Sequence, residues 1–319
     1  MKYIIDPIAE LWKKRLLLSG FEDLYSSLIT ELAEYLGKSY SEVKKYCEAS
    51  VQLGNVAWQQ ADTNNPQDVL NYYKTCTLYL YELTWWHSLR DDRRFADSVI
   101  CMEYAKKNNL YKFLDFGCGI GSHSIVMASE GLKTTLFDVS EDLVNYAKWR
   151  MEHRNFSAEY MSGAPNTLTG EYDFILALDV LEHIPDPYET LKLLINRLSP
   201  NGILCVSVPS TPLPSRPMHY DYFRKHLKED TKSLGLEHIK SLIYVDIFRR
   251  GETKTEISLS KPTHKITLLD EFIRTLVYFG ESSGLILMLT IRYSLFISSV
   301  IQSFHWYTFC NPIIHKRFE

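Results

Sequence analysis

A cluster of closely spaced glycines is the first candidate in this sequence for chemistry. It follows Asp115 in the order Asp-x-Gly-x-Gly-x-Gly, between an apolar stretch at 111–116 and an amphipathic one at 122–130. These stretches predict a buried strand and a helix, with the glycines as the turn between them. Glycine adopts positive φ and lets a ligand approach the backbone, and the first N–H groups of a helix are open to it. The turn contributes four candidate ligand contacts, namely Gly117, Cys118, Gly119 and Gly121.

The acid before the turn bears on which ligand the turn binds. The dinucleotide-binding fingerprint has glycine at its first, third and sixth places. Here the sixth place is Ser122, and the last glycine comes one residue earlier. A carboxylate at Asp115 would repel a pyrophosphate and attract an ammonium group. The pattern therefore favours a cationic ligand.

A second acid, Asp138, follows the next predicted strand at 133–137. It lies about 20 residues beyond the turn, the distance at which a second-strand carboxylate commonly meets a ribose. Ser140 is a predicted N-cap for a helix at 141–151. The alternative is that Asp138 is a solvated acid near this helix start.

These features resemble the first motif of class I S-adenosylmethionine-dependent methyltransferases. The resemblance implies S-adenosylmethionine as cofactor, with Asp115 at its ammonium group and Asp138 on both ribose hydroxyls. It also implies that Val139 lies in the donor site, with the turn residues beneath the donor. Many members carry an acid after the third strand to hold the adenine amino group. This chain has Gly163-Ala164-Pro165-Asn166 after its predicted third strand, which leaves adenine to backbone groups or to Asn166.

A strongly apolar stretch at 172–178 predicts the fourth strand, and it ends in Asp179-Val180-Leu181-Glu182-His183. With the helix that follows and a fifth strand at 203–208, this order is similar to a subgroup that includes ubiquinone-biosynthesis O-methyltransferases. The similarity covers about residues 95–245. It implies that Asp179 lines the donor or acceptor site.

Two histidines are the candidate catalytic residues, because histidine titrates near neutral pH. His183 is a candidate base for an acceptor hydroxyl; the alternative is that Glu182 and His183 cap the next helix. His219, on a proline-rich loop, is a candidate base or a loop hydrogen-bonding residue. Some relatives in the subgroup place a divalent metal ion near a similar Glu-His pair, but we assign no metal ligand here.

The surrounding sequence predicts how these residues are positioned. We expect an α/β fold with a doubly wound Rossmann-like sheet of seven strands, the last antiparallel and placed at 255–259. The predicted units are an N-terminal helical cap (1–108), a methyltransferase domain (109–262) and an apolar helical extension (263–319). In the cap, one aromatic helix is predicted from Pro66 to His87, with His87 as a partly exposed polar residue. Its aromatic residues suit either core packing or a lid over the donor.

The extension is apolar between residues 284 and 309 apart from Arg292. A central arginine costs about 2.5–3.5 kcal/mol in a bilayer, which disfavours a membrane span. Packed helices and peripheral membrane contact through 283–310 are the remaining interpretations.

Composition limits the class of protein further. The 319 residues carry a net charge of −4, which argues against a nucleic-acid partner. Six scattered cysteines and no apolar leader suggest a cytoplasmic protein, with peripheral membrane association left open. We expect methyl transfer to a small-molecule or lipid-like acceptor, at a hydroxyl oxygen. The alternatives are N- or C-methylation and a non-catalytic donor-binding or membrane-associated scaffold. The oligomeric state is left open.

Overall fold

The structure is a computed structural model that describes residues 10–61, 65–88, 93–209, 217–220 and 222–251. The predicted extension at 263–319, its membrane-contact segment at 283–310 and the strand expected at 255–259 lie outside these residues. Within the described ranges, no helix has both the length and the apolar character needed to cross a membrane.

A seven-stranded sheet forms the centre of the molecule, in the order β3-β2-β1-β4-β5-β7-β6. Its strands are β1 (Lys112–Phe116), β2 (Lys133–Asp138), β3 (Glu159–Ser162), β4 (Tyr172–Leu178), β5 (Leu198–Ser207), β6 (Glu237–Ser241) and β7 (Val245–Arg249). The pairs among β1 to β5 are parallel, and β7 is antiparallel to both β5 and β6. The predicted Rossmann-like sheet with an antiparallel last strand is confirmed.

The position predicted for that last strand is wrong. The antiparallel seventh strand of the described sheet lies at Val245–Arg249, directly after a short connection from β6. Its Val245, Ile247 and Phe248 are all buried, so the segment packs as an internal strand between β5 and β6.

The two strands at the centre of the sheet, β1 and β4, could be predicted from the sequence because of their burial. β1 and β4 are buried along almost their whole length, as parallel strands covered by helices on both faces should be. Phe113 on β1 lies opposite Phe174 on β4, with ring centroids 4.8 Å apart. Both strands end at the edge where ligands bind in open α/β sheets.

Ten helices surround the sheet in the described residues. They are α1 (residues 10–16), α2 (Leu24–Leu36), α3 (Tyr40–Trp58), α4 (Pro66–Thr75), α5 (Leu78–His87), α6 (Arg93–Lys107), α7 (Ser122–Ser129), α8 (Glu141–His153), α9 (Pro187–Asn196) and α10 (Arg224–Ser233). The predicted N-cap of α8 is present, because Ser140 Oγ accepts from the Leu143 amide. Gly37 ends α2 in the left-handed conformation with φ of 62°.

The single aromatic helix predicted from Pro66 to His87 is two helices. The chain leaves helical geometry at Cys76, whose ψ is 91°, and α5 begins two residues later. Each half packs on a different partner. Val69 of α4 packs with Trp58 and Met218, whereas Leu80 and Tyr81 of α5 pack into a core with α2 and α3.

Helices α1 to α5 form a cap, which lies against the glycine turn and α8. Ile120 of the turn and Tyr146 of α8 belong to the same buried cluster as the cap residues Ile29 and Leu32. The rings of Tyr35 and Tyr146 are 4.7 Å apart. The cap therefore shares a core with the ligand-binding edge of the sheet.

Candidate active site

The glycine turn follows β1 directly and is hydrogen-bonded to β2. The amides of Gly117 and Cys118 both donate to the Phe137 carbonyl, at 2.8 and 3.0 Å. Gly117 and Gly119 have φ of 73° and 51°, and a Cβ on them would lie 2.4 Å from Val180 Cγ2 and 2.6 Å from Leu83 Cδ1. Both positions thus combine a left-handed backbone with close neighbours, which only glycine satisfies.

The turn opens into a cavity of about 830 Å³ between the sheet edge and the cap. Pockets that bind small molecules commonly have volumes of roughly 300–1,000 Å³. The cavity brings together eight of the ten predicted site residues, namely Gly117, Cys118, Gly119, Asp138, Val139, Asp179, His183 and His219. Asp115 and Gly121 do not line it.

Asp138 lies at the end of β2 with 7% of its surface exposed. One carboxylate oxygen accepts from the Gly119 amide at 2.9 Å and the other from the Ser140 amide at 3.0 Å. Burial raises the pKa of Asp138, and the amide hydrogen bonds act in the opposite direction. Since a carboxylate oxygen accepts two hydrogen bonds, each oxygen retains capacity for a ligand hydroxyl.

Asp115 occupies a different environment beneath the turn. Its carboxylate accepts from the Ser124 hydroxyl at 2.7 Å, inside α7. Burial raises its pKa to about 7. The predicted contact with a ligand ammonium stays a prediction, and the buried position of the carboxylate does not support it. Gly121 does not line the cavity either. It allows the turn to pack closely against α8, because a Cβ at this position would lie 2.8 Å from Ala147 Cβ.

Asp179 directly follows β4 and lies in the left-handed region, with φ of 54°. Its amide donates to Ser207 Oγ at 2.9 Å, and the same hydroxyl donates to Asp179 Oδ1 at 2.9 Å. A non-glycine residue with positive φ is uncommon and is often found at functional sites. Ser207 of β5 therefore fixes an unusual backbone at the cavity wall.

His183 follows in a short 3₁₀ turn, Leu181–His183. Its Nδ1 lies 2.8 Å from the Tyr73 hydroxyl of the cap. Its ring is 4.6 Å from that of His219, in an edge-on arrangement. The two predicted catalytic histidines, 36 positions apart in the sequence, are thus neighbours on one wall of the cavity.

Glu182 adds a carboxylate to this histidine pair. Ligand atoms of Glu182, His183 and His219 all lie within 4.8 Å of one another. Nitrogen and carboxylate donors at this separation suit a divalent metal ion such as Zn²⁺. The site could hold either an ion or an acceptor hydroxyl at this wall.

The cap lines the same cavity with side chains that the sequence analysis had not assigned to the site, among them Tyr73, Tyr79, Leu83 and Trp86. The aromatic character of Tyr73, Tyr79 and Trp86 is visible in the sequence, but their position at the cavity depends on how α4 and α5 pack. The exposure predicted for His87 is wrong. It is 7% exposed, and its Nδ1 lies 2.8 Å from Ser122 Oγ at the start of α7.

Residues after β3 complete the donor side. Pro165 lines the cavity, whereas Asn166 is exposed and does not. Of the two alternatives considered for adenine recognition, backbone groups near Pro165 lie at the cavity and Asn166 does not.

The comparisons with known proteins agree with this geometry. A family model described as a methyltransferase domain matches residues 85–242, just under half of the chain. This range contains the glycine turn, β1 to β5 and the histidine wall. The resemblance to class I S-adenosylmethionine-dependent methyltransferases that the sequence predicted, with S-adenosylmethionine as methyl donor, is confirmed over this range.

Curated relatives resemble one part of that domain. Ubiquinone biosynthesis O-methyltransferase from Coxiella burnetii is 34% identical over 97 residues, which is 30% of this chain and 42% of the relative. The protein of the same name from Xanthomonas campestris is 30% identical over 100 residues, with the same coverage. The chain thus matches less than half the length of these relatives.

Solved structures resemble a larger part of the chain at lower identity. Magnesium protoporphyrin IX methyltransferase (ChlM) from Synechocystis PCC 6803, with bound SAM, is 21% identical with a TM-score of 0.46. The match covers 58% of this chain and 97% of that chain. TehB from Haemophilus influenzae is 20% identical with a TM-score of 0.40, covering 48% of this chain and 62% of that chain.

Proposed function

We propose that the protein transfers a methyl group from S-adenosylmethionine to a hydroxyl oxygen of a small-molecule or lipid-like acceptor. The observation that carries the proposal is the composition of a single cavity. The glycine turn and Asp138 lie on one side of it, and His183 and His219 lie on another. The groups proposed to bind the donor and the proposed proton acceptor therefore line the same cavity.

The residues at the turn fit S-adenosylmethionine. A cradle that a Cβ would fill at Gly117 and Gly119 gives the donor close access to the backbone. Asp138 would hold the ribose, since both of its oxygens are fixed by amides and can each accept one more hydrogen bond. When bound, the donor would supply a methyl group carried on a positively charged sulfur. The sulfur keeps the electron pair of the broken S–CH₃ bond and becomes a neutral thioether.

The remaining task of the protein is to align an acceptor and remove its proton. Alignment in an enclosed site can contribute about 7–11 kcal/mol to lowering the barrier. His183 accepts the hydroxyl proton as the oxygen takes the methyl group, and His219 lies beside it. Positioned general bases accelerate reactions by about 10²–10⁴-fold.

The apolar wall favours an acceptor with an apolar body. Leu70, Tyr79, Leu83 and Trp86 of the cap line the cavity. The names of the curated relatives, which are ubiquinone biosynthesis O-methyltransferases, support a hydroxyl acceptor in the same way. A ring or chain bearing one hydroxyl would place its apolar part against the cap and its oxygen at the histidines.

Two measurements test the proposal. Titration calorimetry should show binding of S-adenosylhomocysteine and none of NAD. Asp138→Asn should weaken that binding by about 10- to 100-fold, because a hydrogen bond to a charged group contributes about 1.5–3 kcal/mol. Asp142→Asn is the matched control. Asp142 is exposed on α8, so this substitution removes the same charge at a residue that does not line the cavity.

The second measurement is transfer of labelled methyl to extracts of the source organism, with the methylated atom located by mass spectrometry. We expect a labelled oxygen in a small-molecule fraction, and loss of labelling in His183→Gln. A label on nitrogen or carbon would refute the hydroxyl assignment. Binding of S-adenosylhomocysteine without any labelled product would favour a scaffold instead.

A further inference from the structure

Tyr73 of the cap contacts the proposed base of the methyltransferase domain. Its hydroxyl lies 2.8 Å from His183 Nδ1, and the two rings are 5.4 Å apart in an edge-on arrangement. The two residues are 110 positions apart in the sequence, and both line the cavity. This is a direct polar contact between α4 and the turn after β4.

Packing fixes where the Tyr73 hydroxyl lies. Its ring contacts Trp58, Tyr72 and Tyr79, with centroid distances of 5.8, 5.2 and 5.7 Å. Ordered aromatic contacts of this kind leave the ring little freedom to move away from His183. The hydroxyl is thus held in place by the cap itself.

The surroundings of the hydroxyl decide which partner donates. Burial raises the pKa of Tyr73 well above its ordinary value, so the phenol keeps its single hydrogen at neutral pH. The hydroxyl also lies 3.4 Å from the Met218 carbonyl, which can only accept. Both contacts are satisfied together only when Tyr73 donates to Met218 and accepts the hydrogen of His183 Nδ1.

We propose that Tyr73 is a positioning residue for His183, holding the imidazole in the tautomer that carries its hydrogen on Nδ1 and its lone pair on Nε2. This inference rests on the proposed function for its catalytic meaning, since the lone pair on Nε2 is what accepts the proton of the acceptor hydroxyl. The neutral ring has one hydrogen, and the partner of one nitrogen determines the state of the other. The cap therefore contributes to the chemistry as well as to the acceptor wall.

The neighbouring Tyr72 provides a matched control. It lies on the same helix and in the same aromatic cluster, but its hydroxyl donates to the Gly54 carbonyl at 3.2 Å and it does not line the cavity. Tyr73→Phe and Tyr72→Phe each remove one hydroxyl from the same cluster. Only the first removes the hydroxyl that contacts His183 Nδ1.

Nitrogen-15 NMR of histidine-labelled full-length protein tests the tautomer without requiring any acceptor. At about pH 8, well above the ordinary histidine pKa, His183 should show a protonated Nδ1 and an unprotonated Nε2. His183→Gln assigns the signals. Tyr73→Phe should shift both nitrogens toward a mixture of tautomers, and Tyr72→Phe should leave them unchanged. A protonated Nε2 in the wild type, or identical spectra in Tyr73→Phe, would overturn the proposal.

Kinetics with the acceptor found in the labelling assay give the second readout. Tyr73→Phe should lower kcat by about 10- to 100-fold, in the range of a mispositioned general base. The KM for S-adenosylmethionine and the affinity for S-adenosylhomocysteine should stay within about twofold, since Tyr73 is outside the donor side. A tautomer confirmed by NMR with no methyl transfer at all would count against the proposed function and leave the positioning contact standing.

Discussion

Replacing Glu31 by glutamine should destabilise the protein strongly, because this cap residue neutralises a buried arginine of α8. The side chains of Glu31 and Arg150 are both 0% exposed, and Arg150 Nε donates to Glu31 Oε2 at 3.0 Å. Arg154 contacts the other carboxylate oxygen of Glu31. Glutamine keeps the size of the side chain but removes the charge and turns an N–H₂ group toward one of the two arginines.

The magnitude follows from the burial of the pair. Removing one partner of a buried ion pair costs about 3–5 kcal/mol, because the remaining charge stays buried without compensation. Whole proteins have unfolding free energies of only about 5–15 kcal/mol. With an unfolding entropy of about 2.1 cal/mol/K per residue, a chain of 319 residues loses about 1.5 °C in Tm per kcal/mol, which gives a decrease of roughly 4–8 °C.

The same arginine links the cap to the glycine turn. Its Nη1 donates to the Ile120 carbonyl at 2.6 Å and to Ser122 Oγ at 2.9 Å. Glu31 therefore positions the guanidinium of Arg150, and this guanidinium is hydrogen-bonded to the glycine turn and to the start of α7. Loss of the Glu31 charge should disturb the turn along with the cap.

Urea unfolding followed by tryptophan fluorescence, together with thermal unfolding, measures this effect. Glu34→Gln is the matched control, since Glu34 is exposed on the same helix, and surface changes usually stay within about 0.5 kcal/mol. If Glu31→Gln lowers the unfolding free energy by less than about 1 kcal/mol, the assignment of a buried, charge-compensating pair is incorrect.

Two further predictions concern the turn. Gly119→Ala should lower the affinity for S-adenosylhomocysteine at least about tenfold (1.4 kcal/mol), because its Cβ would lie 2.6 Å from Leu83 Cδ1. Gly131→Ala, equally left-handed but with nothing within 4 Å, should leave it unchanged; equal losses in calorimetry would rule out crowding as the cause. The carboxyl of Asp115 has a pKa of about 7 in the folded protein, against an ordinary value near 4 in the unfolded chain. Between about pH 4 and pH 7 the folded state therefore binds more protons than the unfolded state. The free energy of unfolding should fall as the pH rises through this range. The urea midpoint of the wild type should therefore fall relative to Asp115→Asn between about pH 4 and pH 7, and a pH-independent difference would contradict the buried, protonatable carboxyl.

Much of the methyltransferase domain was predictable because its signals are local. The fourth strand, Tyr172–Leu178, matches the predicted bounds, and the first two strands and the helices that follow them begin within one residue of their predicted starts. A buried parallel strand is continuously apolar, and the glycines and Ser140 mark the turn and the helix start that follow. The edge of the sheet that carries the site follows from the same order of elements.

The errors occurred where neighbours far away in sequence determine the outcome. Cys76 interrupts a helix because the two halves pack on different clusters. His87 is buried where its Nδ1 makes a hydrogen bond with Ser122 Oγ at the start of α7. The last strand was misplaced because its apolar pattern is short and its pairing partner, β5, lies about 40 residues earlier.

The sequence by itself determined the class of domain, since the acid-tipped glycine turn, Asp138 and the order of strands are each encoded within short segments. Tertiary structure alone decided that Asp115 lies beneath the turn, that Glu31 compensates Arg150, and that Tyr73 meets His183. The physical reason is that hydrogen bonds and charge compensation depend on distance in space. A helical cap brings its side chains to the site through packing, and no local pattern in the sequence records where that packing places them.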